Sequence, residues 1–173
     1  MLGLEERRVV ELLEFRAIEI DDYAEVRHLH SLAYRILTTG HHSDEQIAAF
    51  TQFVRAPDYT RQLLANDLQG AWLDHILVGT AGWNPASDCG TTARITDIFV
   101  HPMFVGTGIA RTLVQDAEAR ARSAGFTDFS ARASVNAVPF FATLGYAITS
   151  HGVRPLGGGI DVPVTFMRKA AGA

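Results

Sequence analysis

The sequence from Thr92 to Ala124 is TARITDIFVHPMFVGTGIARTLVQDAEARARSA, and its pattern predicts a β-strand, a glycine turn and an α-helix in succession. Ala93–Val100 is rich in β-branched and aromatic residues, as strands are. The pair His101-Pro102 ends the strand, because proline lacks a backbone donor and pushes the preceding residue away from helical geometry. Apolar residues recur at helical spacing from Ile109, and Gly125 follows where a helix C-terminal glycine is expected. The helix is predicted to bury Ile109, Ala110, Leu113, Val114, Ala117 and Ala121 and to expose Arg111, Gln115, Glu118 and Arg122.

The glycine turn before this helix is a candidate anion site. Gly106 and Gly108 let the backbone approach a phosphate without an intervening Cβ, and the first helical N–H groups lie unpaired at the positive end of the helix dipole. The phosphate fingerprints G-x-G-x-x-G and G-K-[ST] are both absent, since the residue three after Gly108 is Arg111. From the glycines alone, an ordinary strand-to-helix turn is an equally good interpretation.

The composition is that of an ordinary globular domain. The chain has 173 residues, 47% hydrophobic and 20% charged, and its formal net charge of −4 argues against non-specific nucleic-acid binding. A single cysteine, Cys89, predicts a free loop thiol and fits a reducing compartment. The sequence shows no metal-ligand motif, signal-peptide pattern or 18-residue apolar run. We therefore expect a cytoplasmic protein with neither a metal nor a membrane partner.

The first half of the chain predicts a strand, three helices and a hairpin. Residues 1–13 form an extension, predicted as a short helix, ahead of a domain over residues 14–173. The expected elements are a strand over Phe15–Ile20, a helix from Asp21 or Asp22 to about Leu37, a helix opened by Ser43 with Gln46 and closed by Pro57, a short helix over Tyr59–Ala65, and a hairpin of Ala71–Leu73 and Ile76–Trp83. His41 and His42 lie in the turn between the first two helices, where exposed histidines are candidate ligands or bases but more often neither.

The second half predicts three more strands and a short helix. The expected elements are a strand over Phe126–Ala133, a helix over Asn136–Leu144 with Pro139 in its first turn, a strand over Tyr146–Ser150, a turn at residues 157–159 and a last strand over Val162–Met167. Strand–helix alternation in the middle, with a hairpin on either side, favours a single mixed α/β sheet with helices on both faces.

Two segments of the sequence resemble motifs of the GNAT superfamily of acetyl-CoA-dependent N-acetyltransferases. In the first, a strand ending Val100-His101-Pro102 is followed by Gly108 and Ala110 in the family's G-x-[GA] pattern. The family's glutamine or arginine before that pattern is replaced by Val105. In the second, residues 136–146, NAVPFFATLGY, place an asparagine, an aromatic pair and a glycine at the family's spacing. The resemblance covers about Phe15 to Lys169 and implies a twisted, mostly antiparallel sheet that splays at its centre.

The resemblance also implies acetyl-CoA as the cosubstrate and a set of residues that bind it. The pantetheine arm is expected on the central strand and the second motif, where the phenylalanines could instead fill the core. The pyrophosphate is expected on the glycine turn, mainly at backbone donors. The cofactor-binding residues so implied are Ile98, Phe99, Val100, Val105, Gly106, Thr107, Gly108, Ile109, Ala110, Arg111, Asn136, Phe140 and Phe141.

The reaction implied is attack of an amine on a thioester, for which a base must take a proton from the ammonium form. Asp97 is the candidate base, because an isolated carboxylate in the otherwise apolar run from Ile95 to Val100 needs a reason. Strand alternation predicts that Ile95, Asp97 and Phe99 share one face. A structural carboxylate paired with Arg94 or Arg132 is the alternative.

The acid that protonates the departing thiolate is a second question. A tyrosine of the family is replaced here by Phe141, which has no proton to donate. Tyr146 or water could substitute, and a thiolate with a reference pKa of about 8.5 is already a tolerable leaving group. The oxyanion donor implied by the resemblance is a backbone amide near Ile98 or Phe99.

The acceptor is not named by the sequence. Tyr34 and Trp83 are candidate substrate-binding residues, although a core position is the favoured interpretation for Trp83. The leading interpretation is an N-acetyltransferase that acts on a small-molecule or peptide amine, with a homodimer expected by resemblance. A non-catalytic acyl-CoA-binding or sensing domain is the alternative, because of Phe141 and Val105.

Overall fold

A seven-stranded sheet forms the centre of the structure, a computed structural model that describes residues 9–88 and 90–170. Its strands are β1 (Glu14–Ala17), β2 (Asp67–Leu73), β3 (Ile76–Pro85), β4 (Thr92–Val100), β5 (Asp128–Ala133), β6 (Ala147–Gly157) and β7 (Ile160–Lys169). They are ordered β1-β2-β3-β4-β5-β7-β6, and every neighbouring pair is antiparallel except β4 and β5. The predicted mixed, mostly antiparallel α/β fold is confirmed.

Helices cover both faces of this sheet. They are α1 (Tyr23–Leu37), α2 (Asp44–Arg55), α3 (Pro57–Leu64), α4 (Ile109–Ser123) and α5 (Val138–Thr143). The first three bury Val26, Phe50 and Tyr59 in the core on one face. On the other face, Val114 of α4 and Phe141 of α5 share a core with residues of β4, β5 and β7. The cleft described below lies between these two helical layers.

The sheet opens between its two parallel strands. β4 and β5 pair only over Thr92–Ile95 and Asp128–Ala131, although β4 runs on to Val100 and β5 to Ala133. Beyond Ile95, the edge of β4 that faces β5 therefore has no strand partner, and its backbone N–H and C=O groups need another one. The splay predicted at the centre of the sheet is confirmed.

Most predicted elements are present, with shifted ends. The capping box of Ser43 and Gln46 is formed in both directions at the start of α2. The first strand is shorter than predicted, because a 3-10 turn over Ile20–Asp22 follows it, held by two hydrogen bonds of 2.7 and 2.9 Å from Arg16 to Asp22. The strand predicted to end at Ser150 is longer, because β6 stays paired with β7 up to the turn at residues 157–159.

The solvent face predicted for α4 is wrong at Glu118, which is only 2% exposed. Its carboxylate accepts hydrogen bonds from the Tyr146 hydroxyl at 2.8 Å and from Lys169 Nζ at 2.9 and 3.1 Å, and Arg122 pairs with it at 3.2 Å. A carboxylate can be buried only with such partners. The network fastens α4 to β7 and to the residue before β6.

The N-terminal extension is described only in part. Residues 9–11 are helical, and Val9 and Leu13 contact the core beside α4. The rest of the predicted extension, residues 1–8, and the loop thiol Cys89 lie outside the described residues. None of the described helices has the length and apolar character needed to cross a bilayer.

Candidate active site

A β-bulge interrupts β4 at Asp97. The pairing with β3 gains one residue between Thr96 and Phe99, so that Asp97 and Ile98 together oppose a single residue of β3. Asp97 adopts a φ of +54°, which is uncommon outside glycine. The predicted alternation is therefore wrong, because Ile95 packs on the α4 face while Phe99 packs against the core of α1 and α2.

A buried polar chain holds the bulge from behind. His30, fully buried, has Nδ1 2.5 Å from the Tyr59 hydroxyl and Nε2 2.8 Å from the Thr80 hydroxyl, and Thr80 donates to the Asp97 carbonyl at 2.7 Å. Because the Thr80 proton is used on that carbonyl, His30 Nε2 must donate to Thr80 and Nδ1 must accept from Tyr59. Burial lowers the pKa of His30 to about 3, which agrees with this neutral ring. The chain fixes the backbone of Asp97.

The Asp97 carboxyl group accepts a hydrogen bond from a side-chain amide and forms no ion pair within the described residues. The Asn66 side chain donates to Asp97, and Asn84 donates to Asn66 at 2.7 Å. In residues 9–88 and 90–170, neither Arg94 nor Arg132 forms an ion pair with Asp97, so the pairing named in the structural alternative is not found. Burial raises the pKa of Asp97 to about 6, although the Asn66 hydrogen bond opposes this. A carboxylate that ionises near neutral pH suits a general base.

A cleft of about 340 Å³ lies where the sheet opens, between β4, the glycine turn, the end of α1 and the start of α5. Thr107 and Phe141 are the two predicted cofactor-binding residues that do not line it. The others line it together: Ile98, Phe99, Val100, Val105, Gly106, Gly108, Ile109, Ala110, Arg111, Asn136 and Phe140.

The glycine turn presents backbone donors to this cleft. Gly106 and Gly108 have φ values of +81° and +85°. The amides of Val105 and Thr107 are already bonded to carbonyls of the same turn. The amides of Gly106 and Gly108 have no partner within the described residues, and the first N–H groups of α4 have none within the helix. A Cβ on Gly106 would meet no atom within 4 Å, so this part of the turn is open.

The residues of the second motif divide between the cleft and the core. Asn136 donates to the Leu37 carbonyl at 3.2 Å and accepts from Ser134 at 2.7 Å, which ties the start of α5 to the end of α1. One N–H and one lone pair of its amide are left for a ligand. Phe141 is 3% exposed and packs edge-on against Tyr146 at 5.2 Å between ring centroids.

A second cavity, of about 510 Å³, contains Asp97 and meets the cleft at the bulge. Tyr34, a predicted substrate-binding residue, lines both, and its buried hydroxyl has no hydrogen-bonding partner in the described part of the chain. The residues common to the two cavities are Tyr34, Ile98, Phe99, Ser134, Ala137 and Phe140. Two molecules bound in these spaces would therefore meet beside Asp97.

Two predicted site residues lie outside both cavities. Trp83 donates from Nε1 to Asp67 at 2.8 Å and packs against Phe126, which agrees with the core alternative. Tyr146 is 3% exposed and its hydroxyl is bonded to Glu118. Burial, with the neighbouring Glu118 carboxylate, raises the pKa of Tyr146 far above its usual value. The structure does not bring Tyr146 together with Asp97.

This geometry predicts that Tyr146→Phe affects stability and not catalysis. The change removes one hydrogen bond to a buried carboxylate, so the free energy of unfolding should fall by about 1–3 kcal/mol. Urea unfolding and kcat, measured on the same preparation, check this. A fall in kcat at unchanged stability would restore Tyr146 as the acid.

Sequence reasoning missed several residues of the site. His30 follows Val26 by four positions on the apolar stripe of α1, and a histidine at that spacing is a signal of a buried polar contact. His42, predicted as an exposed loop residue, is 8% exposed and lines the second cavity. Asn66 gives no signal in the sequence, because it reaches Asp97 only through the tertiary fold.

Comparison with known families identifies the class of protein. A family model described as an acetyltransferase (GNAT) domain matches residues 38–161, which is more than half of the chain. The chain therefore belongs to the GNAT acetyltransferase family, and it is an acyltransferase. No curated protein matches it significantly.

Solved structures share the fold. A GCN5-related N-acetyltransferase from Rhodopseudomonas palustris has a TM-score of 0.80 and 24% identity over 91% of this chain and 94% of that one. The PaiA N-acetyltransferase from Thermoplasma acidophilum, in complex with coenzyme A, has a TM-score of 0.68 and 18% identity over 91% and 98%. YncA from Salmonella typhimurium, with its cofactor acetyl-CoA, has a TM-score of 0.61 and 19% identity over 91% and 93%.

Proposed function

We propose that this protein is an N-acetyltransferase that transfers the acetyl group of acetyl-CoA to a primary amine of a small molecule or peptide, by direct attack in a ternary complex. The observation that supports this most is the meeting of two cavities beside Asp97. One is lined by a glycine turn and the free edge of β4. The other holds a buried carboxylate suited to take a proton from an amine.

The cleft fits acetyl-CoA, which supplies the activated acyl thioester. The free amides of Gly106, Gly108 and the start of α4 suit the pyrophosphate. The guanidinium group of Arg111, held 3.3 Å from Thr143 Oγ1, places a positive charge beside them. The unpaired edge of β4 offers N–H and C=O groups to the amides of the pantetheine arm. The structures of PaiA with coenzyme A and of YncA with acetyl-CoA, which share this fold, support the assignment.

The residues at the bulge then perform the transfer. Asp97 takes a proton from the ammonium form of the acceptor, and the freed amine nitrogen then bonds to the acetyl carbon while the C–S bond breaks with its electron pair leaving on sulfur. The second proton that the nitrogen loses passes to the thiolate through water. Backbone N–H groups near Ile98 or Phe99 donate to the oxygen that gains negative charge. Since Phe141 has no proton and Tyr146 faces Glu118, the thiolate leaves unaided and is protonated by water, as its reference pKa of about 8.5 allows.

The test is a calorimetric titration with acetyl-CoA and with CoA, followed by a thiol-release assay over a panel of amines. We expect one acetyl-CoA to bind per chain and free thiol to be released only when an amine is present. Binding without amine-dependent thiol release would favour the acyl-CoA-binding or sensing role instead. If the folded protein bound neither acetyl-CoA nor CoA, the assignment of the cleft as the acetyl-CoA site would be wrong.

We also propose that residues 14–173 form the acetyltransferase domain and that it acts in the cytoplasm. The single cysteine of the chain supports a reducing compartment. A homodimer is proposed from the outer edge of β6, which is the last strand of the sheet and can pair between subunits. Sedimentation at several protein concentrations would test the dimer.

A further inference from the structure

The second cavity is strongly cationic, although the chain as a whole has a net charge of −4. Three arginines line it: Arg94 on β4, Arg132 on β5 and Arg154 on β6. Asp97 is the one carboxylate among the lining residues. The cavity therefore carries a formal charge of +2 with Asp97 ionised, or +3 with it protonated.

The strand registers explain why these arginines converge. Arg94 and Ser130 are register partners across β4 and β5, and Arg132 lies two residues further along β5 on the same face. Arg132 pairs with Phe166 on β7, and Arg154 pairs with a β7 residue four positions earlier, again on the same face. All three side chains thus rise from the face that α1 and α2 cover.

The arginines are not held in ion pairs by carboxylates of the described residues, although the charge of Arg154 acts on Asp97. In residues 9–88 and 90–170, none of the three forms an ion pair. Arg94 donates to the Ala86 carbonyl at 3.3 Å, and the guanidinium groups of Arg132 and Arg154 lie over the rings of Phe166 and Phe53. Burial lowers the pKa of Arg132, and the charges of Arg94 and Arg154 lower it further. The like charges of the three guanidinium groups repel one another, and an anion bound among them would relieve this repulsion.

Unpaired polar atoms of the second cavity also indicate a polar ligand. The buried Tyr34 hydroxyl and the buried Asn84 Oδ1 both line this cavity and lack a hydrogen-bonding partner within the described residues. Asn84 Oδ1 and the Asp97 carboxylate can accept from an ammonium group, whereas guanidinium groups and the hydroxyl donate to oxyanions. The cavity thus holds acceptors suited to an amine and donors suited to an acid.

We propose that the acceptor substrate is an amine that also carries an oxyanion, a carboxylate or phosphate, bound by Arg94, Arg132 and Arg154 while its amino group faces Asp97. This rests on the proposed function and names the substrate class for it. Polyamines and other purely cationic amines should be excluded, because the like charges of the arginines repel them.

The test uses pairs of amines that differ only in the acidic group. L-phenylalanine is compared with 2-phenylethylamine, L-lysine with cadaverine, and O-phosphoethanolamine with ethanolamine, both as substrates and as ligands of the CoA complex. We expect kcat/KM to be at least about tenfold higher for the acidic member of a pair, since a hydrogen bond to a charged group is lost without it. The first two pairs report a carboxylate and the third a phosphate.

Arg154→Gln should lower the ratio of kcat/KM for the acidic member to kcat/KM for its counterpart about 10- to 100-fold. The ratio is the quantity to compare, because the charge of Arg154 also lowers the pKa of Asp97 and its loss affects both members of a pair. Arg35→Gln is the matched control, because Arg35 is an exposed arginine of α1 that lines neither cavity. The Kd of CoA should be unchanged in both variants. Circular dichroism confirms that both are folded.

Equal turnover of the two members of every pair would overturn the proposal and leave the acetyltransferase function standing. A weaker Kd of CoA in Arg154→Gln would also overturn it, since the arginines would then hold the cosubstrate. Arginine-dependent binding of the acidic members without turnover would support the anion site and contradict the proposed function. If the acidic members were neither turned over nor bound, the proposed anion site would be overturned.

Discussion

Asp97→Asn is expected to lower kcat/KM about 100-fold or more at pH 7, the range for loss of a general base. Because the pKa of Asp97 is about 6, its carboxylate form predominates above pH 6. Wild-type kcat/KM should therefore rise through pH 6, and this rise should be absent from the pH profile of the variant. The difference in kcat/KM between the variant and the wild type should shrink as the pH rises towards the pKa of the amine, because a growing fraction of the acceptor is then already deprotonated. A pH–rate profile of both proteins measures this.

The same substitution should not reduce stability at pH 8. A buried carboxyl group whose pKa is raised from 3.8 to about 6 binds its proton more tightly in the folded state. Stability from this group is therefore greatest below pH 3.8 and falls as the pH rises towards 6, and asparagine removes that loss. Asparagine also tolerates the positive φ of +54° at this position.

The chain supplies a matched control in Asp74. It is the other described non-glycine residue at a positive φ, also +54°, and it lies exposed in the turn between β2 and β3, outside both cavities. Asp74→Asn should leave kcat/KM and its pH profile unchanged. An Asp97→Asn variant with a wild-type pH profile would reject Asp97 as the base.

Gly106→Ala is expected to raise the Kd of acetyl-CoA by roughly 10- to 100-fold, the effect of losing a hydrogen bond or two to a charged phosphate. The glycine has a φ of +81° and open space where a Cβ would lie, so the new methyl group would meet the ligand rather than the protein. The left-handed backbone should also cost about 1–2 kcal/mol of stability. Calorimetry and urea unfolding separate the two effects.

Gly125→Ala is the matched control, because it places the same left-handed backbone strain outside the glycine turn. Gly125 has a φ of +97° and follows the opposite end of α4, and a Cβ there would also meet no atom within 4 Å. The variant should lose similar stability and bind acetyl-CoA normally. Equal affinities in the two variants would show that the pyrophosphate does not lie on the turn.

The cleft proposed for acetyl-CoA could be located from the sequence because its parts are local. The glycine turn and the start of α4 are contiguous, and their backbone geometry follows from residue type. Position in the sequence also suggests Thr107 as a backbone donor to the phosphate, but its amide already donates to a carbonyl within the turn. Which amides remain free depends on the turn's own hydrogen bonds.

The geometry around the proposed base could not be predicted, because it depends on the pairing of residues distant in the sequence. Asp97 stands out in the sequence as an isolated carboxylate, but the bulge that orients it is set by the register of β3 against β4. The helical pattern places Glu118 in solvent because Lys169, which neutralises it, lies 51 residues further along the chain. The three arginines come from three strands, and only the order of the sheet brings them together.

The gap between β4 and β5 has a consequence for how the protein behaves in storage and in cells. A ligand that hydrogen-bonds to the unpaired backbone groups of this gap binds the folded chain and not the unfolded one. Its binding therefore stabilises the folded state. If acetyl-CoA binds there as proposed, a concentration 100 times its Kd should add about 2.7 kcal/mol to the free energy of unfolding. For a chain of this size, that raises the melting temperature by roughly 5–10 °C. Abundance of the protein would then follow the supply of the proposed cosubstrate, since ligand binding lowers the unfolded fraction that proteases cleave.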